Sequence, residues 1–429
     1  MPLLFSRGYL RVKERKNMGL NNTPKGERIH IAVFGKQNAG KSSLINSITG
    51  QNLSIVSDVL GTTTDPVYKA MELLPLGPVM MIDTPGLDDE GKLGNLRIKK
   101  AKKVLDQSDI VLLVLDGGTV LCENDFATER EILQQRKEKG LPYLVILNKI
   151  ETCSDLAKAE AYVKKKLHCE ELMKVSAKNK DGIETLKKKI GNIIPKEEDP
   201  PLVRDLMKPG DFVVLVVPID KAAPKGRLIL PQQQTIRDIL EASAVSIVVK
   251  ETELKATLKQ LGRKPKLVIT DSQAFGKVSK DTPEDVWLTS FSILFARYKG
   301  ELTQLIEGVK AVETLGDGDK ILISEGCTHH RQCDDIGTVK IPRWLKEYTG
   351  KQFLFETSSG GGFPDDLSPY KMVIHCGACM LNRREMQFRL KQAKDMGIPI
   401  VNYGILIAYI HGILKRSLEP FEEIRKLLD

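Results

Sequence analysis

Apolar residues gather in this chain into short continuous runs separated by stretches with helical spacing. His30-Ile31-Ala32-Val33-Phe34 is one such run, followed by Ile110 to Leu115, Tyr143 to Leu147 and Met173 to Val175. Met80-Met81-Ile82 leads into Asp83 in the same way. Runs of this length without polar alternation mark strands buried on both faces, as in parallel sheets covered by helices. The pattern resumes at Phe212 to Val217, Val245 to Val249 and Lys266 to Thr270, and again at Lys320 to Ile323, Lys371 to Ile374 and Pro399 to Asn402. Amphipathic segments fall between them at 232–241, 290–299, 303–310 and 382–393, with a further helix from Gly404. Strands alternating with helices predict an α/β fold throughout. The run Pro195-Lys196-Glu197-Glu198-Asp199-Pro200-Pro201 has no apolar periodicity and reads as a linker. The expected division is a basic, disordered lead-in over 1–27, an α/β domain over 28–195, the linker 196–201, a small α/β domain over 202–282 and a doubly wound α/β domain over 283–429.

Composition narrows the class. A chain of 429 residues with 41% hydrophobic content suits several globular domains with sizeable cores. No apolar run reaches membrane-spanning length, and the strongest, Ile110 to Leu115, is bounded by Asp109 and Asp116. Seven Cys, an odd count without a secretory signal, argue against a disulfide scaffold and for a reducing, cytoplasmic setting. The net charge of +9 collects at Lys99-Lys100, Lys102-Lys103, Lys164 to Lys166 and Lys187 to Lys189. These clusters sit on helix-like segments and read as solvated faces. No aromatics interleave them, so a nucleic-acid partner is not favoured.

The first domain carries phosphate chemistry. Gly35-Lys36-Gln37-Asn38-Ala39-Gly40-Lys41-Ser42 lies between a strand and an amphipathic stretch beginning near Ser43. Gly-x-x-x-x-Gly-Lys-Ser in a strand–loop–helix context is a phosphate loop, whose backbone N–H groups wrap phosphates at a positive helix end. Lys41 is placed to reach the β and γ phosphates, and the Ser42 hydroxyl to ligate Mg²⁺. Gly61-Thr62-Thr63-Thr64-Asp65 supplies a switch segment, with Thr63 as the second Mg²⁺-contacting hydroxyl. Asp83 is the carboxylate at a strand end, and the N–H of Gly86 can meet the γ phosphate. Lys41, Thr63, Asp83 and Gly86 thus form the expected catalytic set.

Asn148-Lys149-Ile150-Glu151 and Ser176-Ala177-Lys178 follow the next two strands and resemble the guanine-reading motifs of the small-GTPase superfamily. That superfamily has Asp where this chain has Glu151. The carboxylate is kept one methylene further out, so guanine specificity is expected to survive. Leu87 stands where Ras-like proteins have a water-orienting Gln, which resembles the TrmE/Era-type branch. In potassium-activated members of that branch the residue matching Asn38 helps hold a monovalent cation, so K⁺ is an expected cofactor.

The third domain carries thiol chemistry. Cys327-Thr328-His329 and His375-Cys376-Gly377-Ala378-Cys379 each follow a predicted strand. Parallel neighbouring strands would deliver both motifs to one carboxyl edge of the sheet, where such sheets bind ligands. Three thiolates leave a position for a His, a water or an exogenous group, whereas structural zinc is normally closed by four protein ligands. An iron–sulfur cluster, a zinc ion and a dithiol redox pair are the available readings, in that order. Cys333 reads as a bystander and His411 as structural. Ser358 to Pro364 reads as a flexible loop. The nucleotide and thiol motifs are expected to lie a whole domain apart.

Taken together, the phosphate loop, the middle-domain run Ala223 to Gln232 and the Cys-x-His…His-Cys-x-x-Cys pattern resemble the HydF family, the GTPases of di-iron hydrogenase maturation. The resemblance runs from about Met18 to the end and implies that residues 1–17 are an extension or a misplaced start. It implies a GTP-hydrolysing scaffold or carrier that binds a 4Fe-4S cluster, holds the di-iron precursor and passes it to apo FeFe-hydrogenase. It further implies two radical-SAM maturases as partners and a homodimer formed through the middle domain. Cys327, Cys376 and Cys379 carry over as cluster ligands, with His329 and His375 as further candidates. The alternative is an RNA-associated TrmE/Era-type GTPase with a zinc or cluster site. The chain lacks the KH-type Gly-x-x-Gly clamp and the aromatic strip that RNA readers use.

Overall fold

The computed structural model describes residues 23–50, 66–86, 101–123, 125–193, 200–219, 228–326 and 335–429. The first domain comprises β1 (Ile29–Phe34), α1 (Lys41–Thr49), β2 (Val67–Leu73), β3 (Gly77–Asp83), α2 (described over 101–107), β4 (Ile110–Asp116), α3 (Ala127–Glu138), β5 (Tyr143–Asn148), α4 (Leu156–Leu167), β6 (Met173–Lys174) and α5 (Ile183–Ile193). Its sheet has the order β2-β3-β1-β4-β5-β6, parallel except for β2, which runs antiparallel to β3. Apolar side chains cover both faces and form a core on each side, one around Phe34, Leu113 and Leu147 and the other around Ile31, Leu112 and Ile146.

The middle domain comprises β7 (Phe212–Val216), α6 (Leu230–Glu241), β8 (Val245–Val249), α7 (Leu254–Gln260), β9 (Leu267–Thr270), α8 (Phe275–Asp281), β10 (Trp287–Ser290) and α9 (Phe291–Lys299). Its parallel sheet has the order β10-β9-β7-β8. The expected boundary at 282/283 therefore cuts this sheet. Trp287 pairs with Leu267 and Ser290 with Thr270, so β10 and the helix it feeds belong with the middle domain. The edge strand β8 exposes Val245 and Val248.

The third domain comprises α10 (Leu302–Lys310), β11 (Lys320–Glu325), α11 (Ile341–Thr349), β12 (Leu354–Ser359), β13 (Met372–His375), α12 (Arg383–Asp395), β14 (Ile400–Asn402) and α13 (Tyr403–Ile410), followed by short helical turns. The sheet order is β12-β11-β13-β14, all parallel. The segment expected as a flexible loop begins inside β12 and turns only at Gly360. One apolar core spans the middle and third domains, from Val213 and Phe291 to Leu322, Ile374 and Leu390.

The first domain also touches the third directly. Asn382 donates to the Gln107 carbonyl at 3.0 Å, and Lys103 of α2 donates to the carbonyls of Gly361 at 2.9 Å and Phe363 at 3.2 Å. These contacts join the two domains at the edge of the first sheet where β4 begins, whereas the phosphate loop leaves the opposite edge after Phe34.

Candidate nucleotide and thiolate sites

The phosphate loop is built by a reversal that only some residues tolerate. Gly40 caps α1 at φ 85°, and a Cβ there would meet Asn148 Nδ2 at 2.4 Å. A side chain is therefore excluded both by backbone strain and by the close approach. Asn38 also adopts a left-handed conformation, φ 61°, which Asn accepts more readily than most residues. Ser43 is exposed in the first turn of α1. Gln37 is exposed, while Lys36 pairs with Glu123 at 3.2 Å. Lys41 is buried, and its ammonium donates to the carbonyls of Gly35 and Lys36, each at 2.8 Å.

Ser42 and Asp83 come together as expected, with the Ser42 hydroxyl donating to Asp83 Oδ2 at 2.5 Å. Asp83 Oδ1 is buried without a hydrogen-bond partner among the described residues. Burial raises the Asp83 pKa, offset by the Ser42 hydroxyl and by Lys41 and Lys69. An orphaned carboxylate oxygen beside a hydroxyl is a hard, all-oxygen donor set that fits Mg²⁺. Gly86 follows in the loop after β3, whereas Thr63 and Leu87 lie outside the described residues.

The two motifs expected to read the base converge on the same loop. The Asn148 amide donates to the Ala39 carbonyl at 3.0 Å, and its oxygen accepts from the N–H of Ala177 at 3.0 Å. One side chain thus ties the phosphate loop to the Ser176-Ala177-Lys178 turn. Ser47 of α1 adds a bond to the Ala177 carbonyl at 2.9 Å, and the Ser176 hydroxyl accepts from the N–H of Asn179 at 3.0 Å. Lys149, at φ 57°, pairs with Asp116 at 2.7 Å. Glu151 sits exposed in the short helical turn Ile150–Thr152, and Lys178 is exposed beyond Ala177.

The thiolate site forms at the carboxyl edge of the third sheet. Ser324 pairs with His375 in parallel register, so the chain leaves β11 at Gly326 and β13 at Cys376 side by side. The Gly326 N–H donates to Cys376 Sγ at 3.0 Å, and the Ala378 N–H reaches the same sulfur at 3.4 Å. Cys327 and His329 lie outside the described residues, as do Cys333 and residues 220–227 of the middle domain. Among the described residues no group of three or more His, Cys, Asp and Glu is placed to hold a metal. Cys376 and Cys379, neither in a disulfide and the first with two N–H donors to its sulfur, are soft donors that fit an iron–sulfur cluster.

His375 has both ring nitrogens engaged. Nε2 accepts from Arg389 at 2.9 Å, which leaves Nδ1–H to donate to the Cys376 carbonyl at 2.8 Å. In this arrangement the ring orients the Cys376 backbone and offers no lone pair to a metal. His411 likewise acts structurally, with Nδ1 bonded to the Ile407 carbonyl at 2.8 Å.

Two residues that sequence reasoning missed complete the site. Arg389 is buried and also donates to Glu385 at 2.6 Å and to the Gly360 carbonyl at 2.7 Å. Lys299, at the end of α9 and 3% exposed, donates to the carbonyls of Ala378 at 2.9 Å, Cys379 at 3.2 Å and Leu381 at 2.7 Å. Burial lowers its pKa to about 8, against the opposing pull of Cys379, Glu27 and Cys376. Burial raises the Cys379 pKa, reinforced by Cys376 and opposed by Lys299. The available signal for Lys299 was its place four residues after Phe295, on the apolar side of the helix. Gly26 lies against the same loop, where a Cβ would meet the Leu381 carbonyl oxygen at 2.6 Å.

Comparison with known proteins divides the chain in the same way. A family model described as a 50S ribosome-binding GTPase matches residues 30–149. The hydrogen maturase F dimerization domain matches residues 202–300, and the hydrogen maturase F tetramerization domain matches residues 303–420. Among curated relatives, the tRNA modification GTPase MnmE of Clostridioides difficile is 33% identical over 171 residues, 40% of this chain and 35% of that protein. GTPase Der of Wolinella succinogenes is 38% identical over 170 residues, 38% of this chain and 35% of that protein. The chain therefore spans about a third of the length of the curated relatives it matches. A crystal structure of Aquifex aeolicus Era bound to GDP.AlF4- is 24% identical, covering 52% of this chain and 93% of that one, with a TM-score of 0.34.

Proposed function

Because the chain belongs to the hydrogen maturase F family, we propose that it is a GTP-hydrolysing scaffold that carries a 4Fe-4S cluster, holds the di-iron precursor of the FeFe-hydrogenase active site and delivers it to the apo-enzyme. The observation that carries the cluster reading is the meeting of Gly326 N–H with Cys376 Sγ at 3.0 Å. Cys327 follows Gly326 directly in the sequence, which adds a third cysteine to the motif. Cys327, Cys376 and Cys379 are the ligands in this reading. When bound, the cluster supplies redox-active iron with one replaceable position. The chain's own work is to orient three thiolates, donate N–H groups to sulfur and keep His375 locked behind Cys376.

At the nucleotide, Lys41 and the loop N–H groups from Gly35 to Ser43 hold the phosphates, and Ser42, Asp83 and Thr63 surround Mg²⁺. Asn148, Lys149 and Glu151 with Ser176, Ala177 and Lys178 read guanine, and Asn38 helps hold K⁺. The Gly86 N–H meets the γ phosphate. The chain assembles as a homodimer or larger oligomer and works beside two radical-SAM maturases in a reducing cytoplasm. No helix among the described residues is long and apolar enough to cross a membrane.

Anaerobic reconstitution with iron and sulfide tests the reading. Each of Cys327→Ser, Cys376→Ser and Cys379→Ser is expected to lose most bound iron while GTP turnover persists. His329→Ala and His375→Ala are expected to retain much of it. Purified protein that carries zinc and shows no cluster absorption or EPR signal after reduction contradicts the assignment.

A further inference from the structure

Lys299 is an ammonium held away from solvent with no carboxylate in bonding contact among the described residues. A buried cation is costly unless it is paired or well hydrogen-bonded. Its bonds go to three carbonyls of a single turn, Ala378 to Leu381, which carries one cysteine and follows another. Carbonyl oxygens satisfy its hydrogens and leave its charge uncancelled, so the opposing charge must come from outside that bond set. Cys379 lies in that turn and Cys376 precedes it, and each supplies a negative charge once it binds metal as a thiolate.

Resting on the reading that these thiols hold an iron–sulfur cluster, we propose that Lys299 is a positioning residue with two separable effects. Its N–H donors fix the Ala378–Leu381 turn so that Cys379 meets the metal, and its charge offsets the thiolates and raises the reduction potential of the bound cluster. Hydrogen bonding and nearby charge are established means by which proteins tune such clusters. The turn needs an external brace because three carbonyls point at one spot, where they would repel one another without a donor. Gly26 packs against the same turn, where a Cβ would meet the Leu381 oxygen at 2.6 Å and the Cys379 oxygen at 2.9 Å.

Three variants separate the effects. Lys299→Arg keeps charge and donors, Lys299→Gln keeps a donor without charge, and Lys299→Met removes both. Each is reconstituted anaerobically alongside wild type, with iron and sulfide counted, folding checked by far-UV circular dichroism and the midpoint potential found by EPR-monitored titration. Lys299→Arg is expected to match wild type in both readouts. Lys299→Gln is expected to retain most of its iron with reduction at least tenfold less favourable, a shift of about 59 mV to more negative potential for a one-electron couple. Lys299→Met is expected to hold less than half the iron, and should it fail to fold the Gln and Arg pair still decides. A Lys299→Gln cluster with wild-type potential overturns the charge role, and a folded Lys299→Met protein with full iron overturns the bracing role. A wild-type protein that takes up no iron overturns the cluster reading itself and with it this inference.

Discussion

Replacing Arg389 by Met tests whether the support behind the thiolate motif is as tightly coupled as its geometry implies. The Arg389 side chain is 1% exposed and that of Glu385 is 8% exposed, with 2.6 Å between them. The same guanidinium also serves His375 and the Gly360 carbonyl. Methionine fills much of the volume but leaves a buried carboxylate, a ring nitrogen and a carbonyl without their donor. Breaking a buried ion pair from one side costs about 3–5 kcal/mol, because the surviving charge stays desolvated and unpaired. For two domains sharing one core, each kcal/mol shifts Tm by roughly 2–4 °C, so a fall of roughly 6–20 °C is expected. The assay is thermal and urea unfolding of reduced apo-protein followed by circular dichroism, repeated for Glu385→Gln and for the double variant. Removing the orphaned carboxylate in the double variant should recover about 2 kcal/mol, a coupling within the range seen for contacting residues. A single-variant loss below about 1 kcal/mol, the value of an exposed pair, refutes the reasoning, and so does simple additivity.

Burial lowers the His30 pKa to about 3, helped by Lys25 and opposed by Asn382, so the folded protein keeps the ring neutral. The unfolded chain takes up a proton below its ordinary value of 6.5, so stability present above that pH is lost as pH falls toward 3. At pH 5 the loss relative to pH 8 is about 2 kcal/mol, and His30→Gln should remove that part of the acid limb in urea titrations. Identical acid limbs in the two proteins contradict it. Lys41→Ala should abolish GTP binding and Glu151→Asp should leave it intact in fluorescent-nucleotide titrations; ATP hydrolysis at the GTP rate would sink the guanine assignment. Potassium should support faster GTP turnover than sodium at equal ionic strength, and equal rates remove the Asn38 cation site.

Most of the strands that read clearly from the sequence are buried on both faces; β8 is an exception, an edge strand legible from its Val/Ile run although Val245 and Val248 are exposed. Ile110 to Leu115 and Met372 to His375 are uninterrupted apolar runs or nearly so, and parallel pairing between helices demands that composition. The strands that were missed are at edges or are short. β2 carries Lys69 and Glu72 and shows one face to solvent. β12 pairs through its backbone while exposing Leu354, Glu356, Thr357 and Ser359. β10 is only four residues long and leads straight into α9, which moved the expected domain boundary ahead of it. At the sites, residues in short motifs were legible because spacing alone brings them together. Arg389 and Lys299 were not, because a charged residue in a helix ordinarily faces water and only tertiary packing buries these two. The contact between Lys103 and the turn after Gly360 was equally invisible, since it joins surfaces that are far apart in sequence.

The most direct test of the carrier account compares wild type with Cys379→Ser in two assays on the same anaerobic preparations. One measures GTP turnover, and the other measures activation of apo FeFe-hydrogenase after incubation with the two radical-SAM maturases. The account predicts that the variant hydrolyses GTP at the wild-type rate, has lost most of its iron and activates no hydrogenase. A Cys379→Ser protein that retains a full cluster and activates the apo-enzyme as wild type does contradicts both the ligand assignment and the carrier role.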